Sequence, residues 1–128
     1  MANRYSNLEQ IEITDTRISI LKKLRKSNEK IKLDYTLPTY ITNINNNTVN
    51  FEKMRENGIR VLNVKQERID KENLNNIIDN GLKCYVWGVN SRYQMKKVLN
   101  LRKNGEFVRA IYTNYPDVLK KMRDSIFT

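Results

Sequence analysis

Histidine is absent from all 128 residues. Its absence removes the commonest general acid–base near neutral pH and the commonest metal-binding side chain. Triads built on imidazole are excluded, so any proton transfer would rest on carboxylates, lysine or tyrosine. Cysteine occurs once, at Cys84, which excludes an intrachain disulfide and a second thiol to share a metal. Lying in an apolar run, Cys84 reads as a buried structural thiol. No apolar run approaches the roughly 20 residues that a membrane helix needs. The opening MANRYSNLEQ contains no signal-peptide core, and a cytoplasmic protein is the expectation. Acidic residues are scarce as well, 14 against 24 Lys and Arg, for a formal net charge of +10. That surplus points to an anionic partner, whether nucleic acid, a lipid headgroup surface or a phosphorylated ligand. It is equally the composition that an AT-rich genome imposes through Lys, Asn and Ile.

What is present is a regular alternation of strand-like and helix-like segments. With 39% apolar and 30% charged residues, the length suits one globular domain covering 1–128. Gln10–Thr14 predicts a first strand, and a helix follows over 16–26, capped by Thr14 or Asp15, with Ile18, Leu21 and Leu24 on one face. Ile31–Leu37 alternates as a second strand that Pro38 closes, before a long Asn-rich loop over 38–51. A short helix is expected over Phe51–Glu56, a third strand over 59–64, and a helix capped by Asp70 that turns Leu74, Ile77 and Ile78 inward. LKCYVWGV (82–89) is the fourth strand, apolar almost throughout as if covered on both faces. Ser91 and Gln94 form a capping box for a helix to about Lys103, burying Met95, Val98 and Leu99. A fifth strand over 107–112 and a last helix from Pro116, with Leu119, Met122 and Ile126, complete five β/α units. Asn57-Gly58, Asn80-Gly81 and Asn104-Gly105 supply the helix stops.

The block from Gly81 to Met122 carries two motifs, Trp87-Gly88-Val89-Asn90 and Thr113-Asn114-Tyr115-Pro116-Asp117, separated by one helix and a glycine turn. It resembles the C-terminal end of the glycerophosphodiester phosphodiesterases, which close with a W-T-V-N strand, a helix, and a strand of the form I-x-T-D/N-x-P. Upstream, residues 12–26 are similar to that family's mid-barrel strand ending in Ser-Phe and the helix after it. Asp15 stands in place of the aromatic, and Gly88 in place of the threonine. The resemblance implies a (β/α)8 barrel of about 250 residues with its site at the C-terminal strand ends. The five units here would be strands four to eight, a partial TIM-barrel-like sheet. The family's His-Arg-Gly, Glu-x-Asp, His-Asp and Glu-x-Lys have no counterpart in this chain; Glu12 is the nearest rival for the last, but Thr14 takes the lysine place. The resemblance therefore implies no catalytic residue, metal ligand or cofactor in this chain alone. Calcium or magnesium enters only if another polypeptide restores the missing groups.

Six residues are candidates for contact with a ligand. Trp87 is either an inward core aromatic or, as the resemblance implies, the pocket rim against the glycerol part of a substrate. Asn90 is either a helix cap or a strand-end site residue. Thr113, Asn114 and Tyr115 precede a helix whose free N–H groups attract phosphate, or else form a cap with a packed tyrosine. Lys65, at the end of the third strand, faces either an anion or solvent. The basic stretch KKLRKSNEKIK (22–32), and Lys96, Lys97, Arg102, Lys103 and Arg109, are expected to be solvated outer faces.

Five parallel strands leave two unpaired edges and one uncovered face. Self-association is the expected remedy, with a complementing chain or refolded sheet as the others. Two functional readings stand: a truncated, inactive phosphodiesterase-like protein or half of a split enzyme, and a small basic protein that binds nucleic acid or an acidic partner.

Overall fold

The computed structural model describes residues 12–103 and 106–127. Its centre is a parallel sheet of β1 (Glu12–Asp15), β2 (Lys32–Thr36), β3 (Ile59–Lys65), β4 (Lys83–Trp87) and β7 (Ala110–Ile111), in that spatial order. Helices α1 (Ile18–Ser27), α2 (Phe51–Glu56), α3 (Lys71–Asp79) and α4 (Arg92–Leu99) connect successive strands, and α5 (Pro116–Phe127) follows the last. Each connection steps one strand in the same direction. Right-handed crossovers then place every helix on one face of the sheet.

The register makes that asymmetry visible. Ile13, Leu33 and Ile59 form one cross-strand row, and Val64, Val86 and Ile111 another. With Leu62 and Cys84 they belong to the core, which α1 to α4 fill with Leu21, Met54, Leu74, Ile77, Met95 and Val98. The alternate rows are polar: Thr14, Asp34, Val61 and Lys83, then Thr36, Asn63, Tyr85 and Ala110, then Lys65 beside Trp87. A shift in register between Leu33 and Asp34 leaves Arg60 as the extra residue of β3, so Ile59 and Leu62 both face the helices despite their odd spacing.

The sheet is strongly curled. Strands lie about 4.8 Å apart, so β1 and β4 would stand about 14 Å apart in a flat sheet. Yet the Tyr85 hydroxyl donates to Glu12 Oε1 at 3.0 Å across the two intervening strands. Two side chains meet over that span only across the concave side of a curved wall.

Local signals account for most helix ends. Asp70 accepts from Asn73 N at α3, Asn50 from Lys53 N at α2, and Ser91 with Gln94 closes both bonds of the capping box at α4. Gly58 follows α2 at φ +67°, where a Cβ would sit 3.1 Å from the Arg25 guanidinium. That guanidinium is not solvated, as its stretch of sequence suggested: it donates to the carbonyls of Asn57, Asn28, Glu29 and Gly58 and ties α1 to the start of β3.

Other expectations need correction. The first strand ends at Asp15, and α1 begins at Ile18 after Arg17, which makes no side-chain cap. Asp15 instead accepts from the Arg17 backbone and guanidinium; Gln10 and Ile11 lie outside the described residues. α4 stops at Leu99, because Arg102–Lys103 (β5) pair antiparallel with Glu106–Phe107 (β6). The Asn104-Gly105 turn lies outside the described residues. The fifth strand of the main sheet shrinks to Ala110–Ile111. β4 is not covered on both faces: Cys84 and Val86 are buried, whereas Tyr85 and Trp87 are half-buried on the open side.

The Asn-rich loop is irregular as expected, but it contributes Ile44 and Val49 to the core. Buried Asn73 holds it, accepting from Ile44 N and donating to the carbonyls of Thr42 and Arg68. Asn73→Ala strands these backbone groups, and the expected loss is roughly 2–4 kcal/mol. It should appear as a lower urea midpoint at unchanged slope; an unmoved midpoint would show that the loop is held by other contacts.

Candidate functional site

The C-terminal ends of β3, β4 and β7 gather the sequence-predicted residues into two adjoining groups. In the first, Lys65 Nζ lies 5.7 Å from the centre of the Trp87 ring and 3.2 Å from Glu67 Oε1. A cation over an indole face is attracted by the ring quadrupole. Trp87 is half-buried on the open face rather than in the core, and its Nε1 is buried without a hydrogen-bond partner. Gly88 then turns the chain at φ +75°, a left-handed conformation that threonine adopts only at a cost. This accounts for glycine where the motif has threonine.

The second group is a cross-link between strand ends. Asn90 Oδ1 accepts from Asn114 N at 2.8 Å and stands 3.5 Å from Thr113 Oγ1, which itself accepts from Tyr115 N at 3.0 Å. Asn90 is not the helix cap; Ser91 is, while the Asn90 backbone N–H donates to Gln94 Oε1. Tyr115 is exposed, not packed. Asn90, Thr113 and Asn114 thus meet at the mouth of the curl, and Tyr115 stands beside α5.

Below this rim lies a polar floor that the sequence reading passed over, apart from Glu12. The Thr14 and Thr36 hydroxyls are 2.6 Å apart, and Asn63 Nδ2 donates to Thr36 Oγ1 at 3.3 Å. The Tyr85 and Tyr112 rings meet edge to face at 6.1 Å. Asp34 is buried, with Oδ1 unpartnered, and Asn63 Oδ1 is unpartnered too. Burial, followed by the charge of Glu12 and a hydrogen bond shared with it, pushes Asp34 up from 3.8 to about 7, against a smaller opposing effect of Lys32. Burial and Glu12 raise Tyr85, and burial raises Tyr112. Cys84 is pushed up to about 12 by burial alone, as befits an inert core thiol. The signal for this floor was the polar alternation Lys32, Asp34, Thr36 along β2.

Calcium or magnesium, which the resemblance ties to a complete family barrel, needs several oxygen donors. Among the described residues no three His, Cys, Asp or Glu side chains cluster to hold an ion. Glu12 raises the pKa of the buried Asp34, and Lys32 stands beside Glu12 in the register. The described residues do not fit a divalent cation.

No protein-family model and no curated protein matches the chain. Solved structures do. A protein of Agrobacterium tumefaciens designated a candidate glycerophosphoryl diester phosphodiesterase superposes with a TM-score of 0.78 at 18% identity, covering 97% of this chain and 48% of its own. A Silicibacter pomeroyi protein of the same designation gives 0.77 at 16%, covering 98% and 41%. A candidate glycerophosphodiester phosphodiesterase of Galdieria sulphuraria gives 0.77 at 20%, covering 96% and 47%. The chain thus spans about half the length of these neighbours. The family resembled by the two motifs is the one whose barrel fold this sheet shares in part.

Asp34 makes stability depend on pH. Its raised value means that the folded chain keeps a proton which the unfolded chain releases between pH 3.8 and about 7. This contribution is full below the unfolded value and falls away as pH rises through the folded one. Stability should therefore drop by roughly 1–3 kcal/mol from pH 4.5 to 8 relative to Asp34→Asn, which carries no such proton. Denaturant midpoints of both proteins at several pH values measure it; a constant difference between them would remove the raised Asp34 from the account.

Proposed function

We propose that the chain is a truncated glycerophosphodiester phosphodiesterase-like unit that offers the rim of a phosphodiester site without the groups for turnover. The observation that carries this reading is the joint placement of Lys65, Trp87, Asn90, Thr113 and Asn114 at the C-terminal strand ends of a partial barrel. In such folds ligands sit at that end. The Trp87 face would pack against the carbon skeleton of a glycerol unit, and Lys65 would supply positive charge beside it. The N-terminus of α5 adds backbone donors for a phosphate.

Metal-dependent hydrolysis of phosphoric diesters in phospholipid metabolism is the activity that the resemblance brings with it. With no histidine and no fitting donor set among the described residues, the chain alone is a pseudoenzyme or binding module, or one half of a split enzyme. An assay of glycerophosphocholine hydrolysis with calcium or magnesium should give no turnover above background, and turnover would refute inactivity. Trp87 is the sole tryptophan, so glycerol 3-phosphate should perturb its emission saturably; an indifferent spectrum would argue against the rim as a site.

A second reading, a basic binding or regulatory protein, has its own observation. A side-chain hydrogen bond with Lys53 on α2, followed by the charges of Lys53 and Lys26, lowers the pKa of Lys22 on α1 against a smaller opposing effect of Glu56. Together with the net charge of +10, this cationic helix face would suit a nucleic-acid backbone or an acidic protein. Retention on DNA that weakens steeply with salt supports this reading, whereas passage through the column at low salt removes nucleic acid as partner.

A further inference from the structure

Among the described residues the sheet ends in two open edges: β1 pairs only with β2, and β7 only with β4, and both run parallel to the strands between them. An unpaired edge is a template for another strand, and here the two edges match each other in direction. Adding β1 of one chain to β7 of another continues the parallel order without reversal.

The flanks of these edges are complementary. Beyond β7 lies a groove of about 630 Å³ between α4, β7 and α5, with Val98, Ile111 and Leu119 in its wall and Lys120 and Arg123 along it. β1 brings the apolar Ile13 and, two residues on, Asp15, whose carboxylate is shared with Arg17; Glu12 points to the concave face, where it accepts from Tyr85.

We propose that two copies of this chain close head to tail, β1 of each along β7 of the other, into one ring of parallel strands with the polar faces inward. The curl that lets Tyr85 reach Glu12 is the curvature such closure needs. Both junctions are identical and related by a two-fold axis along the ring, so no edge remains and growth stops at two. The inference rests on the sheet geometry and stands whether or not the rim binds a phosphate ester.

Light scattering and sedimentation of the whole protein, from low to high micromolar concentration, test it. The expected particle has twice the 15.3 kDa chain mass, with no larger species. Lys120→Glu, on the exposed side of α5, sets an acid against Asp15 and should weaken the dimer about tenfold; adding Asp15→Lys should restore it. A single-chain mass at every concentration, or open-ended polymers, would overturn closure by a second copy. A dimer indifferent to Lys120→Glu would overturn the β1–β7 junction. The phosphodiester reading is tested separately, by Trp87 emission and the hydrolysis assay.

Discussion

All helices among the described residues lie on one side of a curled parallel sheet, and nearly everything else follows from that. Crossovers of one hand cover the face that carries Leu33, Leu62, Val64, Cys84 and Val86, which hydrophobic burial stabilises. Among the described residues no element covers the other face, whose rows carry Thr, Asp, Asn, Lys and Tyr beside Val61 and Ala110. A doubly wound sheet would have buried those side chains against helices without partners. On a barrel wall, the same side chains become an interior.

That interior has its own electrostatics. Glu12, Asp34 and Tyr85 come from three different strands and meet only because the sheet curves. Burial and a neighbouring carboxylate both favour protonated Asp34. Lys65 is partly neutralised by Glu67 and sits by the Trp87 ring, and its charge is held at the mouth rather than in the floor. Floor and rim are therefore distinct: the floor combines hydrogen-bonded hydroxyls and amides with buried acceptors on Asp34 and Asn63, and the rim carries Lys65, Trp87, Asn90, Thr113 and Asn114 at the strand ends.

Fold likeness and chemistry part company here. The superposition covers nearly the whole chain but about half of each neighbour, and at this level of identity it speaks for the fold. Function must be argued from the site. The rim is assembled from Lys65 and residues of the two motifs, and the chain contains no histidine.

Much of the architecture was legible locally. Alternation, the Asp70 cap, the Ser91–Gln94 box and the stops at Asn57-Gly58 and Asn80-Gly81 are short-range signals, and each fell where local geometry required it. So were the five β/α units and the placement of Trp87, Asn90, Thr113 and Asn114 at strand ends. Misreadings arose where a distant contact outweighed a local preference. Arg25 looked like one more surface cation but binds backbone carbonyls more than 30 positions away. Residues 102–103 continued a helical pattern but pair with 106–107. By itself the sequence determined the order of elements, the buried thiol and the lack of imidazole chemistry, because these depend on composition and spacing. Only the tertiary structure decided that Glu12, Asp34 and Tyr85 share one floor, that Asn90 reaches Asn114, and which face stays open. Those depend on sheet curvature and register, which bring together residues that no sequence spacing relates.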